Sequence, residues 1–138
     1  MSPDVIEQEN TETTLLDTIK TTLETLAADT EYPMSGGVYY GVCTATTLAE
    51  WNYFVFGRRR VTPSNHKSYT DHFEVHIVHE DYIAEGYVLD VVKTIKTAIP
   101  GCSLDDNIEY EYTTKSDTNV IVEVATLPFK VARKVDDG

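Results

Sequence analysis

The chain has 138 residues, 41% of them apolar, which is enough for one sizeable core and too little for two. Its 23 acidic against 11 basic side chains leave a formal charge of -12, which repels phosphate and argues against direct nucleic-acid binding. The only cysteines, Cys43 and Cys102, lie far apart with no zinc-knuckle or disulfide-framework spacing, and no apolar run reaches the roughly 18 residues of a membrane span.

The opening MSPDVIEQEN is acidic and lacks the positive start and apolar stretch of a secretion signal, so the protein is expected to be made and kept in a cytoplasm. Residues 1–10 carry too little apolar surface to offset the cost of ordering and are expected to form a flexible arm, with a short tail at 136–138. A single domain is expected over 11–135. Within it, Leu15, Ile19, Leu23 and Leu26 recur at helical spacing, predicting an amphipathic helix that ends near Ala28 to Asp29. Its many threonines are mediocre helix formers because they branch at Cβ, so this helix needs a partner surface.

YPMSGG reads as a turn, and VYYGVCTATT and EWNYFVFG read as two strands rich in β-branched and aromatic residues. In the second, Trp51, Tyr53 and Val55 share one face while Phe54 and Phe56 share the other, so the strand is expected to be covered twice or to join an oligomer. The fourteen polar residues of GRRRVTPSNHKSYT, 57–70, are expected to form a long loop. DHFEVHIVHED follows as a third strand. Ile83, Tyr87, Val91, Ile95 and Ala98 then predict a second amphipathic helix, with Asp81 as its N-cap and Pro100-Gly101 as its stop. Finally, Ile108 to Tyr112 and Val120 to Val124 flank the turn KSDTN as a hairpin, and LPFKVARKV extends past Pro128 as an expected edge strand or arm. The fold class is α+β, a mostly antiparallel sheet packed by two helices in the order α-β-β-β-α-β-β with an extra strand allowed at the C-terminal end.

DHFEVHIVHED concentrates three histidines among carboxylates. Alternation puts His72, Glu74 and His76 on a wet face opposite Phe73, Val75 and Ile77, which accounts for the whole pattern as a solvated strand face. The competing reading is a small metal-dependent enzyme using His72, Glu74 and His76, although neighbours on one strand face stand roughly 7 Å apart and HExxH is absent. There is no GxSxG elbow, P-loop or GxGxxG, Glu109 and Glu111 read as an exposed hairpin face, and Cys43 has no visible base nearby. No catalytic residue, metal or cofactor is expected. Arg58, Arg59 and Arg60 collect three of the 11 basic residues at one place in an acidic chain, and arginine forks pair with carboxylates. They are expected at an interface, with Trp51 and Tyr53.

The succession of a first helix, YYGVCTATTLAEWNYFVFGRRRV, DHFEVHIVHEDYIAEGYVLDVVKTIKTAI and NIEYEYTTKSDTNVIVEVATLPFKVARKV resembles the tail-terminator (tail-completion) proteins of long-tailed bacteriophages. The resemblance covers roughly 11–135 and lies in layout, without a chemical motif. It implies a non-enzymatic virion protein, assembled in the host cytoplasm, that forms a homohexameric ring at the neck end of the tail. Such a ring caps the tail tube and presents the docking surface for the head. Its partners would be copies of itself, the tail-tube protein and neck or connector proteins, with DNA passing through and no membrane involved. A head-completion or connector protein of the neck is the alternative of the same kind.

Overall fold

The computed structural model describes residues 14–65 and 67–134. The arm expected at 1–10 and the tail expected at 136–138 lie outside the described residues.

Helix α1 spans Leu15–Ala27 and is capped by Thr14, whose extended backbone lets Oγ1 accept from the Asp17 N–H at 3.0 Å. The β-branched residues are accommodated in part by back-bonding: the hydroxyls of Thr22 and Thr25 donate to the carbonyls of Thr18 and Thr21 at 2.7 and 3.0 Å. Ile19 and Leu23 are fully buried, as the stripe requires. Helix α2 spans Tyr87–Ala98 and buries Tyr87, Val88, Val91, Val92 and Ile95.

The sheet has six strands: β1 (Gly37–Tyr40), β2 (Tyr53–Asn65), β3 (Ser68–Glu80), β4 (Cys102–Leu104), β5 (Glu109–Thr114) and β6 (Ile121–Lys134). Their spatial order is β1-β2-β3-β6, with β4 and β5 both pairing along the far side of β6. Only β1 and β2 run parallel. Both helices lie on one face, against Phe54 and Phe56 of β2, Phe73, Val75 and Ile77 of β3, and Ala125, Leu127, Phe129 and Val131 of β6. Phe73 and Phe129 are register partners whose rings stack at 5.2 Å. Burying each such side chain contributes about 1.5–3 kcal/mol, so this face is the main source of stability.

The opposite face carries Tyr39, Tyr53, Val55, His76, Val78, Val122 and Val124 by the same register. Val78 and Val122 are buried there although they point away from the helices. Segment 41–52, the crossover between parallel β1 and β2, is tied across this face: Lys115 Nζ donates to Ala49 O at 2.7 Å and to Glu80 Oε2 at 2.8 Å, while the Trp51 N–H donates to Glu80 at 2.7 Å. At the entrance to β1 the Gly36 N–H donates to Asn52 O at 2.7 Å. A Cβ there would stand 2.8 Å from that oxygen, so the first glycine of SGG is set by close backbone approach.

Four expectations are corrected. Residues 57–70 are not a loop: β2 runs to Asn65 and β3 starts at Ser68, forming one long hairpin with register shifts between Arg58 and Arg60 and between Pro63 and Asn65. The strand expected over VYYGVCTATT ends at Tyr40, and the rest enters the crossover. Asp81 is not the cap of α2, because it adopts φ 66 and its N–H bonds to Ile121 O, while Gly86 with φ 88 occupies the cap position. The intervening backbone is held by side chains instead, with the Ile83 N–H on Glu123 Oε1 at 2.8 Å and the Ala84 N–H on the Tyr32 hydroxyl at 2.9 Å. Finally, β6 continues through Pro128 inside the sheet, not along its edge. The carbonyl of Pro128 accepts from the Asp105 N–H on the β4–β5 side, so its missing N–H faces the gap between β4 and β5 and costs the β3 ladder nothing.

Candidate functional site

On the face away from the helices, β3 presents His72, Glu74 and His76 as its period-two pattern requires. The three do not converge. His72 Nδ1 lies 2.6 Å from Asp105 Oδ2, and its Nε2 lies 2.9 Å from the Thr62 hydroxyl. A carboxylate only accepts, so Nδ1 carries the proton, and the Thr62 hydroxyl, which can donate or accept, completes the hydrogen bonding of Nε2. His76 repeats the arrangement in reverse, with Nε2 3.3 Å from Glu74 Oε1 and Nδ1 3.1 Å from the Thr126 hydroxyl. Every ring nitrogen of this pair is thereby engaged. Among the described residues no three His, Cys, Asp or Glu side chains are arranged to hold a metal ion.

The hub of the cluster is Asp105, just after β4, which sequence reasoning missed. Its carboxylate meets His72 and the guanidinium groups of Arg59 at 3.4 Å and Arg60 at 3.6 Å, and it is only 12% exposed. The hydrogen bond from His72 holds its pKa below the ordinary carboxylate value against the opposing effect of burial, with the positive charges of Arg60 and Lys130 adding to the lowering. No local pattern marks this residue, because it meets His72 only through the β4–β6–β3 pairing.

The arginines divide. Arg59 bonds Glu74 at 3.0 Å as well as Asp105, and Arg60 reaches Asp105 while remaining half exposed. Arg58 has no hydrogen bond or ion pair among the described residues. It points instead toward a cavity of about 260 Å³ beside the first turn of α1, lined also by Leu16, Arg60, Val61, Tyr69 and Arg133. Trp51 and Tyr53 are half-buried within the protomer, with Tyr53 edge-on to Tyr39 at 5.8 Å. Burial, and then the neighbouring Cys43, raise the Tyr53 pKa above the usual phenol value.

Among the described residues the sheet is bounded on one side by β1 and the free stretch of β2, and on the other by β4 and β5. Strand β1 pairs β2 only through Phe56, so beyond that point β2 is itself an edge, carrying Arg58, Arg59, Arg60 and an exposed Val61. Strand β5 forms the far edge and is exposed at every residue, with Glu109 and Glu111 on one side and Tyr110 and Tyr112 on the other. Among the described residues only Tyr112 of this strand is anchored by its side chain, its hydroxyl donating to Glu123 at 2.8 Å. The arrangement offers backbone and charge for pairing with another chain.

No protein-family model matches the chain, and no curated protein matches it. Among solved structures, one with 15% identity aligns over 95% of this chain and 96% of that chain with a TM-score of 0.41, a distance at which likeness supports no argument about function.

Proposed function

We propose that this protein is a structural, self-assembling component of a phage virion, forming a ring that caps the completed tail tube and presents the surface on which the head docks. The observation that carries the reading is the presence of two unlike open edges on one small domain, basic along β2 and acidic along β5. A closed ring needs one patch on each protomer to meet a different patch on the next. The layout that resembles tail terminators over 11–135 supports the position at the tail end.

Mass photometry of the purified protein, with and without the tail-tube protein, tests this reading. A discrete ring, hexameric by resemblance, that binds tube ends is expected. A soluble dodecamer favours a head-completion or connector role. A chain that stays monomeric at high concentration and ignores tubes overturns the proposal.

A further inference from the structure

We infer that the cavity at the N-terminal end of α1 is a docking site for the acidic segment that precedes that helix in the same copy, residues 1–13, with Arg58 and Arg133 receiving its carboxylates. The contact lies within one copy and is independent of ring formation.

The cavity exists because the sheet outruns the helix laid on it. By register Val61, Tyr69, Asp71 and Arg133 continue the face that carries Phe56, Phe73 and Phe129, but α1 begins only at Leu15, and Val61 is left 55% exposed. Arg58, opposite Phe73 in the ladder, lines this space from the same face. The lining is mixed in character. Arg58 has no hydrogen bond or ion pair among the described residues, Arg133 meets Asp71 at 3.5 Å, and apolar surface from Leu16, Val61 and Tyr69 completes the wall. At the same end α1 leaves the N–H groups of Leu15 and Leu16 without an acceptor inside the helix, and the helix dipole adds partial positive charge. The site therefore suits an anion carried on a partly apolar chain. At about 260 Å³ it exceeds the roughly 150 Å³ that admits a benzene ring and falls short of the roughly 300–1,000 Å³ of cofactor pockets, so it fits one or two side chains better than a free ligand.

Connectivity and charge name the occupant. Thr14 is itself part of the cavity wall, so the segment before it is tethered at the mouth. That segment, MSPDVIEQENTET, carries Asp4, Glu7, Glu9 and Glu12, no lysine or arginine, and the apolar pair Val5-Ile6. It has too little apolar surface to order alone, and the cavity supplies the opposite charge that it lacks. Tethering gives it an effective concentration on the order of 1 mM at the site. A carboxylate at Arg58 can pair bidentately with the guanidinium, and one beside Leu15 and Leu16 meets the positive end of the helix. A phosphate polymer would have to add its charge to a molecule already at -12, whereas docking this segment adds none.

Hydrogen–deuterium exchange of the full chain, read by mass spectrometry and normalised to a free peptide of the same sequence, tests the inference. Amides within 1–13 should exchange about fivefold more slowly in the parent chain than in Arg58→Glu, which turns an attraction between exposed groups into a repulsion. Arg58 is exposed and has no partner among the described residues, so the melting curve of that variant should match the parent. A second variant, Glu7→Gln/Glu9→Gln/Glu12→Gln, leaves every described residue unchanged and should lose the same protection, and about 0.5 M sodium chloride should release it in the parent. Protection should be equal at low and high protein concentration, because tether and cavity belong to one copy. Exchange at the free-peptide rate in the parent, or equal protection in all three chains, overturns the inference. So does protection that appears only as concentration rises, which would give the cavity to the segment of a neighbouring copy.

Discussion

Replacing Asp105 with Ala removes the acceptor of a 2.6 Å bond from His72, and both side chains are nearly buried, 8% and 12% exposed. Leaving the His72 Nδ1–H without a partner costs about 1–3 kcal/mol, as for any buried donor that loses its acceptor. The longer contacts to Arg59 and Arg60 involve guanidinium groups 33% and 51% exposed, and water screens them to a few tenths of a kcal/mol each. The expected loss is thus about 2–3 kcal/mol at pH 7, or a fall in Tm of roughly 8–12 °C for a domain of this size. Urea unfolding followed by circular dichroism measures it, and a double-mutant cycle with His72→Ala should return most of that value as coupling. The pH dependence has a definite sign. Because the folded carboxyl titrates below its ordinary value, its contribution is complete above the unfolded pKa of about 4 and is lost as pH falls through the lower folded value. Parent and variant should therefore converge in acid. A difference below about 0.5 kcal/mol at pH 7, or one that widens on acidification, refutes the assignment of Asp105 as the hub.

Lys115→Met should release the crossover from the sheet, costing about 1 kcal/mol through the lost bonds to Glu80 and Ala49 and increasing proteolytic cleavage within 41–52. It should also bring the Glu80 pKa back toward the usual carboxylate value, since the bond from Lys115 is the main cause of its lowering. Cys102 is buried, and that burial pushes its thiol up to about 11, so alkylation at pH 8 followed by mass spectrometry should label half-exposed Cys43 first. Equal labelling of both thiols in the native protein would contradict the packing around β4.

Much of the fold is legible in periodicity because burial is one-sided wherever the helices cover the sheet. Ile19 and Leu23 mark the inner face of α1, and Phe73, Val75 and Ile77 alternate with His72, Glu74 and His76 as the structure has them. The signal fails where burial stops deciding. From Gly57 onward β2 has a neighbour on one side only and polar residues on both faces, and its register shifts break the alternation, so it reads as a loop. Pro128 misleads for a different reason: proline is tolerated in an inner strand when its neighbour changes identity beside it, which no local pattern records. Gly86 displaces Asp81 at the start of α2 because long-range bonds from Glu123 and Tyr32 hold the entry segment. At the candidate surface the arginine cluster stands out in composition, while Asp105 and the acidic edge that faces outward from β5 emerge only once the strands are ordered in space.

Strand β6 bonds to β3 along 13 residues and to β4 and β5 on its other side, yet it is synthesised after all seven other elements of the domain. Until it emerges from the ribosome, β3 lacks a neighbour and the core lacks Ala125, Leu127, Phe129 and Val131. Folding of the domain therefore waits until β6 has been made, and a fragment cut short before Ile121 lacks the one strand on which β3, β4 and β5 all pair.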